Sequence, residues 1–158
     1  FEYFRTNGEA LMTFQETFKT RWSDFDANRH LRHTAYNDYA AEVRLRYFKQ
    51  QGVTMSNFAA DHLGPILFKE ETSFFKEILM GADITINLKL KAVSGKTERW
   101  KLLHHFFNEK GELAAEIMVY GAWIDLEKRK LAIPSPKFNN LFSSLEKTAD
   151  YEDIILKK

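Results

Sequence analysis

The sequence predicts an α+β fold, an antiparallel β-sheet wrapped around one long central helix, and three observations carry that prediction. A single stripe of Tyr36, Tyr39, Ala40, Val43 and Tyr47 recurs at the spacing of one buried helix face. Ile84, Ile86, Leu88 and Leu90 alternate with Asp83, Thr85, Asn87 and Lys89, the period of a half-exposed strand. Ser94-Gly95-Lys96 and Asn108-Glu109-Lys110-Gly111 are turn signals that join the later apolar runs as hairpins. Strands joined in that way pair antiparallel, and the helix must then cover their apolar face.

Taken in order, Thr13 to Trp22 reads as the first strand, marked by Phe14, Phe18 and Trp22. The long helix follows, with Thr34 as its N-cap, Asp38 adding negative charge to the first turn and Gly52 as its stop. That gives a helix of about 17 residues. Thr54 to His62 is a short helical turn or loop, and LGPILFKEETSFFKEI is a long strand. After Gly81 comes ADITINLKLKAV, and after the Ser94 turn TERWKLLHHFF. ELAAEIMVYGAWIDL suits a central strand covered on both sides. Pro134 and Pro136 end the sheet, and Phe138, Leu141, Phe142 and Leu145 sketch a short closing helix. No repeat, linker or low-complexity run divides the chain, so residues 1–158 read as one domain with a core over about 13–136. One sheet around one helix leaves edges and a surface to be covered, and a homodimer or a pair of dimers is expected.

Composition narrows the function. Aromatic residues make up 15% of the chain, 14 of them Phe, a content that suits apolar ligand tunnels and subunit seams. No apolar run approaches the ~18 residues needed to span a bilayer, and no signal-peptide pattern is present. The net charge of +1, with basic residues scattered among acids, gives no electrostatic footprint for nucleic acid. Cys is absent, which excludes disulfides and a thiol nucleophile and leads us to expect a cytoplasmic setting.

The chemistry-bearing residues crowd into one strand-to-helix junction, RWSDFDANRHLRHTAYNDYA from Arg21 to Ala40. A lone aspartate in such a run is ordinarily a loop acid. Asp24, Asp26, His30 and His33 also suggest a metal cluster, but a spacing of three on a loop does not make side chains converge, so no metal is expected. On their strand, His104 and His105 point to opposite faces, and neither is given a role.

The junction resembles the hot-dog-fold acyl-CoA thioesterases of the 4-hydroxybenzoyl-CoA thioesterase-like group, whose first strand ends in a pattern close to W-x-D-x-D-x-x-G-H-x-x-N-x-x-Y. Trp22, Asp24, Asp26, Arg29, His30, His33 and Tyr36 stand at those places. Gly81-Ala82-Asp83 is similar to the family's turn between its second and third strands, and WIDLEKRKLAIP to its last strand and proline exit. The resemblance covers roughly Thr13 to Pro136. It departs at two positions, where the family's glycine is Arg29 and an asparagine is His33.

The resemblance implies hydrolysis of an acyl-CoA or acyl-carrier-protein thioester to free acid and thiol, with no cofactor, since coenzyme A is part of the substrate. It makes Asp26 the catalytic carboxylate, as nucleophile or as general base; both routes stay open. The start of the central helix polarises the carbonyl, with the backbone amides of His33 and Thr34 as oxyanion donors. Arg29, His30 and Tyr36 become substrate-binding candidates. Against these roles stand plainer ones: His30 as a satisfied half-buried histidine, His33 as a solvent-facing cap and Tyr36 as helix-to-sheet packing. Asp24 is expected to be structural, as a cap or ion-pair partner. Lys89, Lys91, Lys96, Arg99 and Lys101 either meet coenzyme A phosphates or form a solvated charged edge. The competing function is a hot-dog domain that binds acyl-CoA without cleaving it. A hydratase is weaker, for want of an Asp/His hydratase signature.

Overall fold

A computed structural model describes residues 3–6 and 9–157, with side chains from residue 13 onward. Strands β1 (Tyr3–Thr6) and β2 (Glu9–Met12) pair with each other as a separate antiparallel ribbon. The body is a seven-stranded sheet built from β3 (Phe14–Lys19), β4 (Leu63–Phe74), β5 (Asp83–Ser94), β6 (Arg99–Phe107), β7 (Leu113–Asp125), β8 (Lys130–Leu131) and β9 (Lys147–Ile154). Its main path runs β3-β5-β6-β7-β4, antiparallel throughout. Helix α1 (His33–Gln50) lies across the apolar face of the sheet, packed chiefly on β5 and β3, and a short α2 (Met55–Ala60) follows it. This is the expected sheet wrapped around one long helix.

The predicted patterns explain the core. Tyr36, Ala40, Val43 and Tyr47 on α1 are buried, and so are Ile84, Ile86, Leu88 and Leu90 on β5. Each such side chain contributes about 1.5–3 kcal/mol by leaving water. At the C-terminal end of α1 the packing is closed. Phe48, Phe58, Trp100, Trp123, Phe138 and Phe142 form one aromatic cluster there. Tyr47 donates its hydroxyl to the Leu141 carbonyl at 2.6 Å. Gly121 on β7 lies under Trp100 so closely that a Cβ would fall 2.2 Å from the indole.

Four expectations need correction. The strand expected over Thr13 to Trp22 ends at Lys19, and Trp22–Asp24 is a 3-10 turn. The N-cap of α1 is Arg32, and Thr34 sits inside the first turn, because the Arg32 backbone N–H is held at 2.7 Å by the Asp24 carbonyl. After Pro134 the expected closing helix is a single 3-10 turn, Pro136–Phe138, although Phe138, Leu141, Phe142 and Leu145 are buried as their pattern suggested. The sheet does not end there. β9 returns to pair parallel with β5 over Leu90–Ser94, on the edge that β3 leaves at Leu88.

Candidate active site

The junction between β3 and α1 is shaped by two aspartates with opposite environments. Thr20 Oγ1 donates to the Ala82 carbonyl at 2.8 Å, tying the end of β3 to the Gly81 turn. The 3-10 turn then carries Asp24 inward, to 1% exposure. Its carboxylate accepts from the Arg21 backbone N–H at 3.1 Å, from the Arg21 guanidinium at 3.0 and 3.3 Å, and from the Tyr39 hydroxyl of α1. Burial pushes the Asp24 carboxyl up, and the bonds from Arg21 and Tyr39 outweigh it and hold the group below the usual carboxylate range. The Tyr39 phenol is pushed up to about 12, by burial first and by Asp24 second. Asp24 has the structural setting expected of it.

Asp26 is exposed. Its Oδ1 accepts from the backbone N–H of Asn28 at 2.8 Å and of His30 at 3.2 Å. Backbone bonds from Asp26 N to His30 O and from Arg29 N to Asp26 O, both 3.0 Å, close the same turn. Oδ2 has no protein partner among the described residues, so one oxygen fixes the carboxylate and the other remains available. Arg29 holds φ +64°, the left-handed backbone that glycine adopts freely. The turn geometry thus survives the departure from glycine, at a cost of about 1 kcal/mol.

The β4–β5 connection backs this turn. His30 pairs with Leu79 as a β-bridge, Leu31 N donates to Ile78 O at 2.9 Å, and Met80 N donates to Arg29 O at 3.2 Å. His30 Nε2 stands 2.6 Å from Glu77 Oε2, which gives the imidazole a protein partner. A cleft of ≈ 410 Å³ opens against this wall, lined by Lys76, Glu77, Leu79, Ala82, Asn108 and Lys110 among others.

Helix α1 starts at His33 without a side-chain cap, and the first backbone N–H groups, those of His33 and Thr34, lack intrahelical acceptors. Both side chains are exposed. Tyr36 lies one turn inside, packed edge-on against Phe74 at 5.1 Å and tilted against Phe106 at 5.3 Å. Burial pushes its phenol up to about 12, and its hydroxyl makes no hydrogen bond among the described residues. The fold therefore brings Asp26, Arg29, His30 and the α1 N-terminus together, with Tyr36 behind them.

The basic hairpin lies elsewhere. β5 leaves the junction at Asp83 and reaches Ser94 eleven residues later, about 36 Å along the strand. Lys89 pairs with Glu146 at 3.4 Å and Lys91 with Asp150, while Arg99 and Lys101 lie over Phe68 and Tyr120. Lys96 caps the turn itself, its backbone N–H donating to Glu98. Lys89, Lys91, Arg99 and Lys101 are thus each engaged by a neighbouring side chain. Among the described residues no group of three or more His, Asp or Glu is placed to hold a metal ion.

A second polar centre escaped the sequence. Arg44 of α1 is 8% exposed, and its Nη1 stands 3.1 Å from Nε2 of His104, which is 0% exposed. The other ring nitrogen, Nδ1, lies 2.9 Å from the Asn87 carbonyl. A carbonyl only accepts, so Nδ1 carries the proton, Nε2 accepts from Arg44, and the imidazole is neutral. Burial and then the Arg44 charge push His104 down to about 3. Burial pushes Arg44 down to about 10, opposed by the field of Glu70. No carboxylate forms an ion pair with Arg44 among the described residues. The available signal was its position: Tyr36, Ala40, Val43, Arg44 and Tyr47 share one helix face, so a charge sits within the buried stripe.

With that geometry in hand, comparison with known proteins identifies the class. The family model of the Thioesterase-like superfamily matches residues 20–142. The chain belongs to that superfamily of thioester hydrolases and has its hot-dog fold. A Staphylococcus aureus protein solved in complex with CoA aligns with a TM-score of 0.82 at 19% identity, covering 93% of this chain and 94% of that one. A 1,4-dihydroxy-2-naphthoyl-CoA thioesterase from Synechocystis aligns with a TM-score of 0.74 at 16% identity, over 84% of this chain and 96% of that one. The DHNA-CoA thioesterase of Staphylococcus aureus gives 0.76 at 18% identity, over 83% and 89%. No curated protein matches the sequence.

Proposed function

We propose that the chain hydrolyses an acyl-CoA or acyl-carrier thioester at the Asp26 turn. The observation that carries this reading is the division of labour within one exposed carboxylate: Oδ1 is fixed by two backbone amides while Oδ2 has no partner among the described residues. A thioester carbonyl resting on the His33 and Thr34 amides would develop its negative charge against fixed donors and the positive end of α1. Asp26 either attacks the carbonyl carbon, giving an anhydride that water opens, or takes a proton from the water that attacks. In both routes the C–S bond breaks and the thiol leaves. Coenzyme A belongs to the substrate, and the chemistry needs no further cofactor. The DHNA-CoA thioesterases that share the fold support this reading, as does the protein solved with CoA. Arg29, exposed on the same turn, is suited to an anionic part of the substrate.

The site is incomplete in one protomer, and we infer a homodimer. The outer edge of β4 is unpaired among the described residues, and Phe68, Phe74, Phe75 and Leu79 are exposed on or just beyond it. Trp22 is 83% exposed beside the Asp26 turn. A second copy covering that edge would bury these side chains and wall the site. Light scattering should give about twice 18.6 kDa at micromolar protein; the monomer mass would exclude the dimer.

The test of the chemistry is Asp26→Asn. The amide keeps an Oδ1 acceptor for Asn28 and His30, so the turn survives, but the charge is gone. Turnover of acyl-CoA substrates, followed by thiol release, should fall by two or more orders of magnitude, about 3 kcal/mol of barrier. Acyl-CoA binding and melting temperature should change little. Unchanged turnover would move the chemistry to another residue. A parent protein that binds acyl-CoA yet releases no thiol from any substrate would instead be a binding module.

A further inference from the structure

Arginine side chains are rarely buried without a partner, and Arg44 uses little of its hydrogen-bonding capacity. A guanidinium has five N–H donors, and the side-chain bond recorded for Arg44 is the one from Nη1 to His104. Among the described residues, the fully sealed polar atoms without a partner are Arg32 Nε, Asn37 Oδ1 and Trp100 Nε1, not the remaining nitrogens of Arg44. The remaining nitrogens therefore have no hydrogen-bond partner among the described residues, and with Arg44 8% exposed the guanidinium keeps a small opening to solvent.

The fold says where that opening lies. On β4, Glu70 stands opposite the buried Val119 and Phe74 opposite the buried Ala115, so both side chains face α1. Both are exposed in the single protomer, because α1 packs over the β5 and β3 side of the sheet and leaves the strip beside β4 less covered, and the inferred second copy would roof it. The α1 side of the strip carries the half-buried Asn37 and Ala41, then Arg44. Thr34, a proposed oxyanion donor, precedes Arg44 by ten residues, about 15 Å along the axis, and helical side chains lean back toward the N-terminus. An acyl chain of medium length running inward along the strip reaches the guanidinium.

We propose that Arg44 reads the far end of the acyl group, and that the substrate is a medium-length acyl thioester whose tail ends in a carboxylate. The proposal rests on the thioesterase reading above. A plain hydrocarbon tail would strip the remaining water from Arg44 and give it nothing in return. A terminal carboxylate replaces that water with charge-assisted, bidentate hydrogen bonds. A site built around such a group rejects a substrate lacking it far more strongly than a hydrophobic pocket rejects one methylene. Glu70, exposed at the rim of the strip, balances part of the Arg44 charge when no tail is present. His104, held neutral, fixes the guanidinium from behind without competing for it.

The experiment compares octanedioyl-, decanedioyl- and dodecanedioyl-CoA with the matching monocarboxylic acyl-CoAs, by thiol release. The wild-type protein should show kcat/KM at least tenfold higher for the dioyl member of the best pair. Arg44→Met should cut kcat/KM for the dioyl substrate by about 100-fold, mostly through KM, while sparing or improving the plain chain. Equal turnover of both members of every pair by the wild type, or preference for the plain chains, overturns the proposal whether or not the variant folds. Calorimetry with free decanedioate and decanoate separates it from the reading beneath it. Selective binding of decanedioate without cleavage of any thioester would sustain the Arg44 assignment and sink the hydrolase. Binding of neither acid and cleavage of no thioester would overturn both.

Discussion

Asp24, beside the start of α1, and Arg44, well along it, are both shut away from bulk water, at 1% and 8% exposure, yet their surroundings differ in kind. Asp24 receives donors from a backbone amide, a guanidinium and a phenol, and it faces a full opposite charge. Arg44 faces a neutral imidazole, and Glu70 acts on it only through its field. A fully satisfied buried charge fixes a shape. A buried charge with spare donors is poised for a ligand. The difference explains why the Asp24 region can serve as the rigid frame on which the exposed Asp26 is presented.

The comparison breaks most sharply at His104. His104→Leu removes the acceptor of Arg44 at similar side-chain volume and leaves a buried cation with no partner. Urea unfolding should show a loss of about 3 kcal/mol. The double variant Arg44→Met/His104→Leu should recover most of that loss, because no uncompensated charge remains. A single variant as stable as the wild type would mean that Arg44 finds other partners and that the two regions do not differ as described.

How much of this was legible beforehand depends on whether the deciding contacts were local. The stripe from Tyr36 to Tyr47 and the alternation from Ile84 to Leu90 report burial directly, so α1 and β5 were readable. β9 was not: KTADYEDI has no apolar alternation, and only Tyr151 and Ile154 give it hydrophobic surface. It is a strand because the edge of β5 beyond Leu88 needs a partner, a fact of the sheet and not of the segment. The α1 cap was misplaced at Thr34 for a similar reason, since Arg32 is set by the remote Asp24 carbonyl. At the site, Asp26 and the junction were legible through a motif. The engagement of His30 with Glu77 was not, because it joins residues far apart in sequence.

A smaller effect separates the two regions by pH. Folded His104 titrates near 3, against an ordinary 6.5. As pH falls below about 6.5 the unfolded chain takes up the proton first, and stability declines until about pH 3, by roughly 1.4 kcal/mol per unit. At pH 5 the protein should be about 2 kcal/mol less stable than at pH 7. The groups facing His104 are Arg44 and the Asn87 carbonyl, and His105, on the opposite face of the same strand, adds a weaker field. His105, also depressed by burial, adds to the loss in the same direction. Asp24 is linked to pH with the same sign but in a lower window: its lowered carboxyl keeps its full contribution until the pH enters the carboxylate range near 4. Acid should therefore loosen the Arg44 side first. A stability profile flat from pH 7 to pH 5, or a His104→Leu variant with an undiminished slope, would contradict that order.

The smallest effect tests the satisfied side. Tyr39→Phe removes one of the donors to Asp24 and leaves the aromatic packing against Phe18, at 5.1 Å between ring centroids, in place. The carboxylate keeps its backbone and guanidinium donors from Arg21, so no charge is stranded. The loss should be about 1 kcal/mol, the net worth of one hydrogen bond. Because Asp24 also holds the Arg32 amide through its backbone carbonyl, the turn bearing Asp26 should stay where it is. Thiol-release activity of Tyr39→Phe should then match the wild type at temperatures where both are folded. A loss of several kcal/mol would show that the network at Asp24 has no redundancy. A selective loss of turnover with unchanged stability would show that the frame beneath Asp26 depends on the phenol.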